Sequence, residues 1–342
     1  MSQIRQPKFE ILRIAAILLI SMMHGIRSAY ASPNILCAST FVAINAIGNM
    51  GVTLFILISG YFGIKFHFSK IIKLWLIVLT YSIVLFLFDL SKTGFNLEIN
   101  KDFIKQLYIV LTPISSNTWW FITSYTILFM LSPLLNIACE RMTKKQFTYL
   151  LCVLLLFYSV CPTLLMHSLS NTPNGKCTEN MILAYLIGRY ISIYHIPQTV
   201  VRHSFQIFIL CVLIIYSINF YIFDPLFLAK DHNLFIIIGA FSLFLWVMNT
   251  EFTIREKTSH IICSIASYTF PLYLLNWPLV SRYDYLYEPF ANKNIYLCYF
   301  FLFQLTIISV SLCIEFIRRL LLDKCIQRIS NNLENLIKEY LI

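Results

Sequence analysis

Long apolar runs separated by short polar connectors make up most of the chain, and they lack the two-residue alternation of half-buried strands. A bilayer crossing takes about 20 predominantly apolar residues. Runs of this kind cover 8–28, 44–63, 69–90, 118–138, 147–167, 180–195, 204–223, 233–250, 260–280 and 294–321. They predict an all-α, polytopic integral membrane bundle of about ten transmembrane helices. No connector is long enough for a separate globular domain, and the longest outer one, 91–117, is modest. Residues 1–322 are expected to form one transmembrane domain. In 323–342, Ile326, Ile329, Leu333, Leu336, Ile337 and Tyr340 recur at helical spacing opposite polar residues. This second unit is expected to be a cytoplasmic amphipathic helix, lying on the inner membrane surface or packed against the bundle.

Composition agrees: 58% of the 342 residues are hydrophobic and 12% charged, which excludes an ordinary soluble domain. Lysine and arginine then set the orientation. Of the 26, Arg13 and Arg189 lie within spans. Eight fall on the expected outer side: Arg27, Lys92, Lys101, Lys105, Lys176, Lys230, Arg282 and Lys293. The larger remainder falls on the other side, so both termini are expected to be cytoplasmic. The net charge of +10 is then mostly positive-inside bias, and nucleic acid is not an expected partner. A basic start, an apolar run and "AYA" at 29–31 imitate a signal peptide, but Glu10 and Arg13 intrude on its apolar centre. The segment is therefore read as helix 1. Most of the ten cysteines lie in apolar spans as small hydrophobes. Only Cys37 and Cys177 fall in outer loops, where they form a candidate disulfide. No CxxC or His/Cys cluster suggests a metal.

Helix 1 carries two ionisable residues inside its apolar run. Eleven helical steps lead from Arg13 to His24, a rotation within about 20° of whole turns and a rise of about 16.5 Å. One face thus runs from a fixed positive charge near the cytoplasm to a titratable base near the outside. Snorkelling of Arg13 and a structural hydrogen bond from His24 would be the plain explanation. Intramembrane ionisable groups nevertheless tend to face a cavity or pathway. Arginine suits a phosphorylated donor and histidine suits proton transfer. In helix 2, Ser59-Gly60 marks a bend or a close backbone approach. Beyond it, Lys70 and Lys73 share a helical face that is either an anion patch or a topology signal.

Arg13 and His24, with "LFILISGYF" (54–62), "WWFITSYTILFMLSPLLN" (119–136), "YLIGRY" (185–190) and "SYTFPLYLLN" (267–276), resemble the membrane-bound acyltransferase-3 family. That family includes O-acetyltransferases of bacterial surface polysaccharides. The resemblance spans nearly the whole chain, with its motifs in order. It implies an enzyme that moves an acyl group, usually acetyl from cytoplasmic acetyl-CoA, to a sugar hydroxyl on the outer side of the bacterial inner membrane. The family's essential histidine falls on His24, its arginine on Arg13, and its basic pair on Lys70 and Lys73. That pair is often Arg-x-x-Arg; here lysine keeps the charge without the bidentate fork. The histidine common late in the ninth-helix motif is Asn276 here.

Arg13, Lys70 and Lys73 are thus the candidate donor-binding residues, and His24 with Arg13 the candidate catalytic residues. No permanently bound cofactor is expected. Candidate acceptor-binding residues are Trp119, Trp120, Tyr185, Arg189 and Asn276. Each has a plainer alternative: belt residues for the tryptophans, and for Arg189 a partner at Glu179 or the bilayer interface. The polar loop 167–180 is expected to cover the acceptor side. Expected partners are acyl-CoA, a polymeric or lipid-linked sugar, membrane lipids and surface-polysaccharide biosynthesis proteins. Two mechanisms fit: His24 as general base for direct attack, or as carrier of a covalent acyl group. The rival class is an exporter or polymerase of polysaccharide or lipid-linked sugar. Against it stand the lack of paired broken helices in matching halves and the lack of a large outer loop.

Overall fold

The computed structural model describes residues 6–30, 32–92, 94, 100–166, 174–222, 224–251 and 253–341. Among these, every regular element is helical. In chain order the helices are α1 (Pro7–Gly25), α2 (Ile35–Gly48), α3 (Met50–Phe62), α4 (Phe68–Lys92), α5 (Lys101–Leu111), α6 (Trp120–Arg141), α7 (Lys144–Leu155), α8 (Cys161–Leu165), α9 (Thr178–Ile193), α10 (Gln198–Arg202), α11 (Ser204–Tyr221), α12 (Leu234–Asn249), α13 (Glu256–Ala266), α14 (Thr269–Tyr283) and α15 (Tyr296–Leu341). The expected all-α polytopic membrane bundle is what the chain forms.

Seven helical stretches among the described residues are long and apolar enough to cross a membrane: Pro7–Ala29, Ile35–Phe62, Phe68–Lys92, Trp120–Arg141, Lys144–Leu165, Ser204–Tyr221 and Tyr296–Tyr340. Each overlaps an expected span. The other three expected spans meet shorter helices. Residues 180–195 and 233–250 correspond to α9 and α12, of 16 residues each. The run 260–280 is broken at Ser267-Tyr268 into α13 and α14. Helix α2 starts nine residues before the expected span, because Asn34 caps it by accepting hydrogen bonds from the Leu36 and Cys37 amides. Helix α5, inside the connector expected at 91–117, buries no residue and exposes Ile104, Leu107, Tyr108 and Leu111. Residues 323–341 continue α15 without a turn, and Ile326 and Ser330 in that extension are buried.

Helix α1 lies inside the bundle, in contact with α2, α3, α12, α13, α14 and α15. Its first residues pack on the end of α3, where Phe9 meets Phe62 edge-on at 5.1 Å. The far extension of α15 comes to the same end, where Lys73 Nζ donates to Gln327 Oε1 at 3.0 Å. Both ends of the described chain therefore sit at the Arg13 end of the bundle, and His24 points to the opposite end.

The closest helix pair explains Ser59-Gly60. A Cβ on Gly60 would stand 2.2 Å from the Tyr185 carbonyl oxygen, and one on Gly188 would stand 2.4 Å from that of Leu57. Small residues at a membrane helix interface permit this approach. The turn after α3 is then clamped. Tyr185 Oη accepts from the Ile64 amide at 3.1 Å and donates to Asn136 Oδ1 at 2.6 Å, while Asn136 Nδ2 donates to the Ile64 carbonyl at 3.0 Å.

Two in-helix prolines are compensated locally. A proline removes the hydrogen bond to the carbonyl four residues earlier. In α6, Pro133 frees the Phe129 carbonyl, and Ser132 Oγ donates to it at 2.7 Å. In α14, Pro278 frees the Leu274 carbonyl, and Trp119 Nε1 donates to it at 3.1 Å.

Candidate active site

Arg13 and His24 open onto two different cavities. Arg13 lines a cavity of about 420 Å³ at the terminal end, together with Glu10, Ser59, Tyr125, Ser267 and Tyr273. Its guanidinium pairs with the buried Glu10 carboxylate, one turn back on α1. Glu10 thereby fixes the fork and leaves the remaining donors to the cavity. Arg319 holds the far wall by donating to Ser267 Oγ at 2.9 Å and to its carbonyl at 2.7 Å, with its guanidinium 4.0 Å from the Tyr268 ring centre.

His24 lines a cavity of about 650 Å³ at the other end, with Arg27, Asn45, Asn49, Lys176 and Lys230 among its walls. Between the two lies an apolar layer of Ile17, Ile20 and Leu272, packed with Val52, Phe55 and Tyr273. Ile20, Val52, Phe55 and Tyr273 also line the Arg13 cavity, so this layer is its roof.

A buried polar chain fixes the imidazole. Ser21 Oγ donates to Gln304 Oε1 at 3.0 Å, and Asn276 Nδ2 donates to Ser21 Oγ at 2.6 Å. The Asn276 carbonyl oxygen is thus the atom turned to His24, at 2.9 Å from Nδ1. An amide oxygen can only accept, so Nδ1 carries the proton and Nε2 keeps its lone pair. The arrangement defines a base at Nε2. Trp277 closes the other side, its ring edge-on to the imidazole with centroids 5.5 Å apart. Gly25 leaves room for Gln304, whose Nε2 would lie 1.7 Å from a Cβ there.

The other expected site residues are dispersed over the molecule. Asn276 contacts His24 directly. Lys70 and Lys73 flank the terminal end without lining the Arg13 cavity, which α4 reaches with Leu74; Lys70 Nζ donates to the Lys65 carbonyl at 3.4 Å. Trp119 is buried, spends its indole N–H on Leu274, and lines a separate cavity beside Asp89 and Arg282. Trp120 is partly buried, with Lys176 Nζ 5.9 Å from its ring centre. Tyr185 and Arg189 line neither the Arg13 nor the His24 cavity. They brace the α3–α4 turn, and Arg189 pairs with Glu140 at 3.6 Å rather than with Glu179.

Of the loop expected at 167–180, residues 167–173 lie outside the described residues. Asn174 and Lys176 line the His24 cavity. No disulfide joins Cys37 to Cys177; Cys37 Sγ donates to the Lys293 carbonyl at 3.8 Å.

Glu10, Ser21, Trp277 and Gln304 escaped the sequence reading. Ser21 and Gln304 carried a faint signal as uncharged polar residues in mid-span, Ser21 one turn before His24. Behind the His24 cavity, burial pushes the Asp231 carboxyl up to about 7 against the pull of Lys176, and holds His232 down at about 4 with help from Lys230.

A family model for an acyltransferase domain, that of the acyltransferase-3 family, matches residues 6–316. The chain belongs to this family, and is a multi-pass membrane acyltransferase. No curated protein and no solved structure matches it.

Proposed function

We propose that the protein takes an acyl group, acetyl in the first instance, from cytoplasmic acyl-CoA and delivers it to a sugar hydroxyl of a surface polysaccharide or its lipid-linked precursor, across the bacterial inner membrane. One observation carries this reading: a single helix presents a paired arginine to a cavity at one end of the bundle and a tautomerically fixed histidine to a cavity at the other. Acyl-CoA enters at the terminal end. Its phosphates meet Arg13, with Lys70 and Lys73 at the approach, and its pantetheine arm passes the apolar layer towards His24. Arginine suits the phosphates because its charge does not titrate.

His24 Nε2 then accepts the proton of the sugar hydroxyl as the oxygen attacks the thioester carbonyl. The C–S bond breaks, and the CoA thiolate leaves and takes up a proton. The Nδ1–H bond to Asn276 holds the ring in line and supports the imidazolium that forms. The test is NMR of purified surface polysaccharide from cells carrying the wild type, a deletion, or His24→Ala at matched membrane levels. The reading expects O-acyl signals to vanish in both altered strains. Acyl signals that persist while polymer length or amount changes would instead favour an exporter or polymerase.

A further inference from the structure

Cations are scarce at the His24 end: eight are assigned there by the charge count, and three of them, Arg27, Lys176 and Lys230, line the one cavity that holds the histidine. Among the described residues none of the three has a carboxylate within 4.0 Å. The cavity's one lining carboxylate, Asp224, accepts from Tyr30 Oη and from the Leu226 amide at 2.8 Å. Asp231, the buried acid on which Lys176 pulls, is pushed up to about 7 and is therefore only about half ionised at neutral pH. Arg27 is tethered, its guanidinium 4.9 Å from the centre of the Trp277 ring that abuts His24. Across the cavity, Asn45 and Asn49 each give one amide N–H to a backbone carbonyl, that of Phe41 and that of Asn45, at 2.9 and 2.8 Å. Their side-chain oxygens are left to accept from hydroxyls.

We propose that this cavity is an acceptor subsite for a sugar bearing an anionic oxyacid group, a carboxylate or a phosphate, held by Arg27, Lys176 and Lys230 beside His24. The inference rests on the acyltransferase reading and narrows its acceptor class. Unpaired cations in a concave site attract and orient such a group. A negative charge there also offsets the imidazolium formed when His24 takes the hydroxyl proton. A neutral sugar would leave three cations uncompensated around a site that gains a fourth.

The test is binding to the full-length protein in nanodiscs of zwitterionic lipid. Three probes alike in their sugar ring separate the charge and its source: methyl β-glucuronide, glucose 1-phosphate and the neutral methyl β-glucoside. At least one charged probe should bind about tenfold or more tightly than the glucoside, the scale of one hydrogen bond to a charged group. Which one does identifies carboxylate or phosphate. The preference should be lost in Arg27→Gln/Lys176→Gln, with glucoside binding unchanged. Equal binding of all three probes, no binding of any, or a preference that survives the double substitution would overturn the proposal. Because binding is read without turnover, absence of any charge preference in the wild-type protein, while its host still carries the O-acyl groups that depend on it, sinks this inference alone. Charge-selective binding without acyl transfer sinks the acyltransferase reading instead.

Discussion

Asn276→Leu removes the one side-chain acceptor on His24 Nδ1 while keeping the same side-chain branching and number of heavy atoms. In the wild type that bond is 2.9 Å long, and its direction is set by the Ser21–Gln304 pair behind it. The substitution leaves a buried N–H without a partner and releases the imidazole to rotate or exchange its tautomers. An unsatisfied buried donor costs about 1–3 kcal/mol. The Nδ1–H bond strengthens as the ring becomes cationic, so the cost falls on the transition state and lowers turnover by roughly fivefold to 150-fold. Asn276→Asp keeps an acceptor at the same place and should stay within about tenfold of wild type. The assay is label transfer from acyl-CoA to acceptor in membrane vesicles, at matched protein levels, with KM for the donor measured alongside. Donor KM should hold in both variants, since Asn276 does not line the Arg13 cavity. Equal losses in both variants would mean that packing, not the acceptor oxygen, is what matters. Turnover within twofold of wild type for Asn276→Leu would refute the tautomer argument outright.

Three further outcomes are expected. Gly60→Ala drives a Cβ to 2.2 Å from the Tyr185 carbonyl oxygen, at a cost of about 3 kcal/mol or more; the yield of monodisperse protein and its melting temperature in detergent should both fall, and unchanged values would contradict the close approach. Trp119→Phe leaves the carbonyl freed by Pro278 without a donor and should cost about 1–3 kcal/mol, read as a lower melting temperature that Ser132→Ala, which orphans the Phe129 carbonyl, reproduces. For pH, Asp231 is raised from 3.8 to about 7, so its contribution to stability is full below about 4 and is lost as pH rises towards 7. His232 is lowered from 6.5 to about 4, so its contribution is present above 6.5 and is lost as pH falls towards 4. The two slopes oppose each other between those limits. Melting temperature should therefore rise across the window in Asp231→Asn and fall in His232→Gln; profiles identical to wild type in both would show that neither group is linked to folding.

Apolar runs were enough to place the bundle, since hydrophobicity over about 20 residues is a strong signal. They were less informative about ends and breaks. The start of α2 depends on the Asn34 cap, and the α13–α14 junction is held by Arg319 from α15, a tertiary contact that no local pattern encodes. The Arg13–His24 face was legible because helical periodicity alone aligns the two residues. Their separation into two cavities was not, because the apolar layer is assembled from α1, α3, α14 and α15. Conspicuous motifs concealed a packing role: "YLIGRY", "SGYF" and "SPLLN" meet at the Gly60–Gly188 contact and the Tyr185–Asn136 clamp, a meeting that no single motif encodes. Asn276, noted chiefly as a departure from a histidine, proves to orient the histidine that remains.

The central claim is that acyl transfer runs from the Arg13 end of the bundle to His24, and sided proteoliposomes test it most directly. Labelled acetyl-CoA is supplied on the Arg13 face, purified host polysaccharide on the other, and acceptor-bound label is measured for wild type, Arg13→Ala and His24→Ala at equal protein density. The account expects label on the acceptor for wild type only, with donor binding retained in His24→Ala and weakened in Arg13→Ala. Label delivered by His24→Ala at the wild-type rate would contradict it.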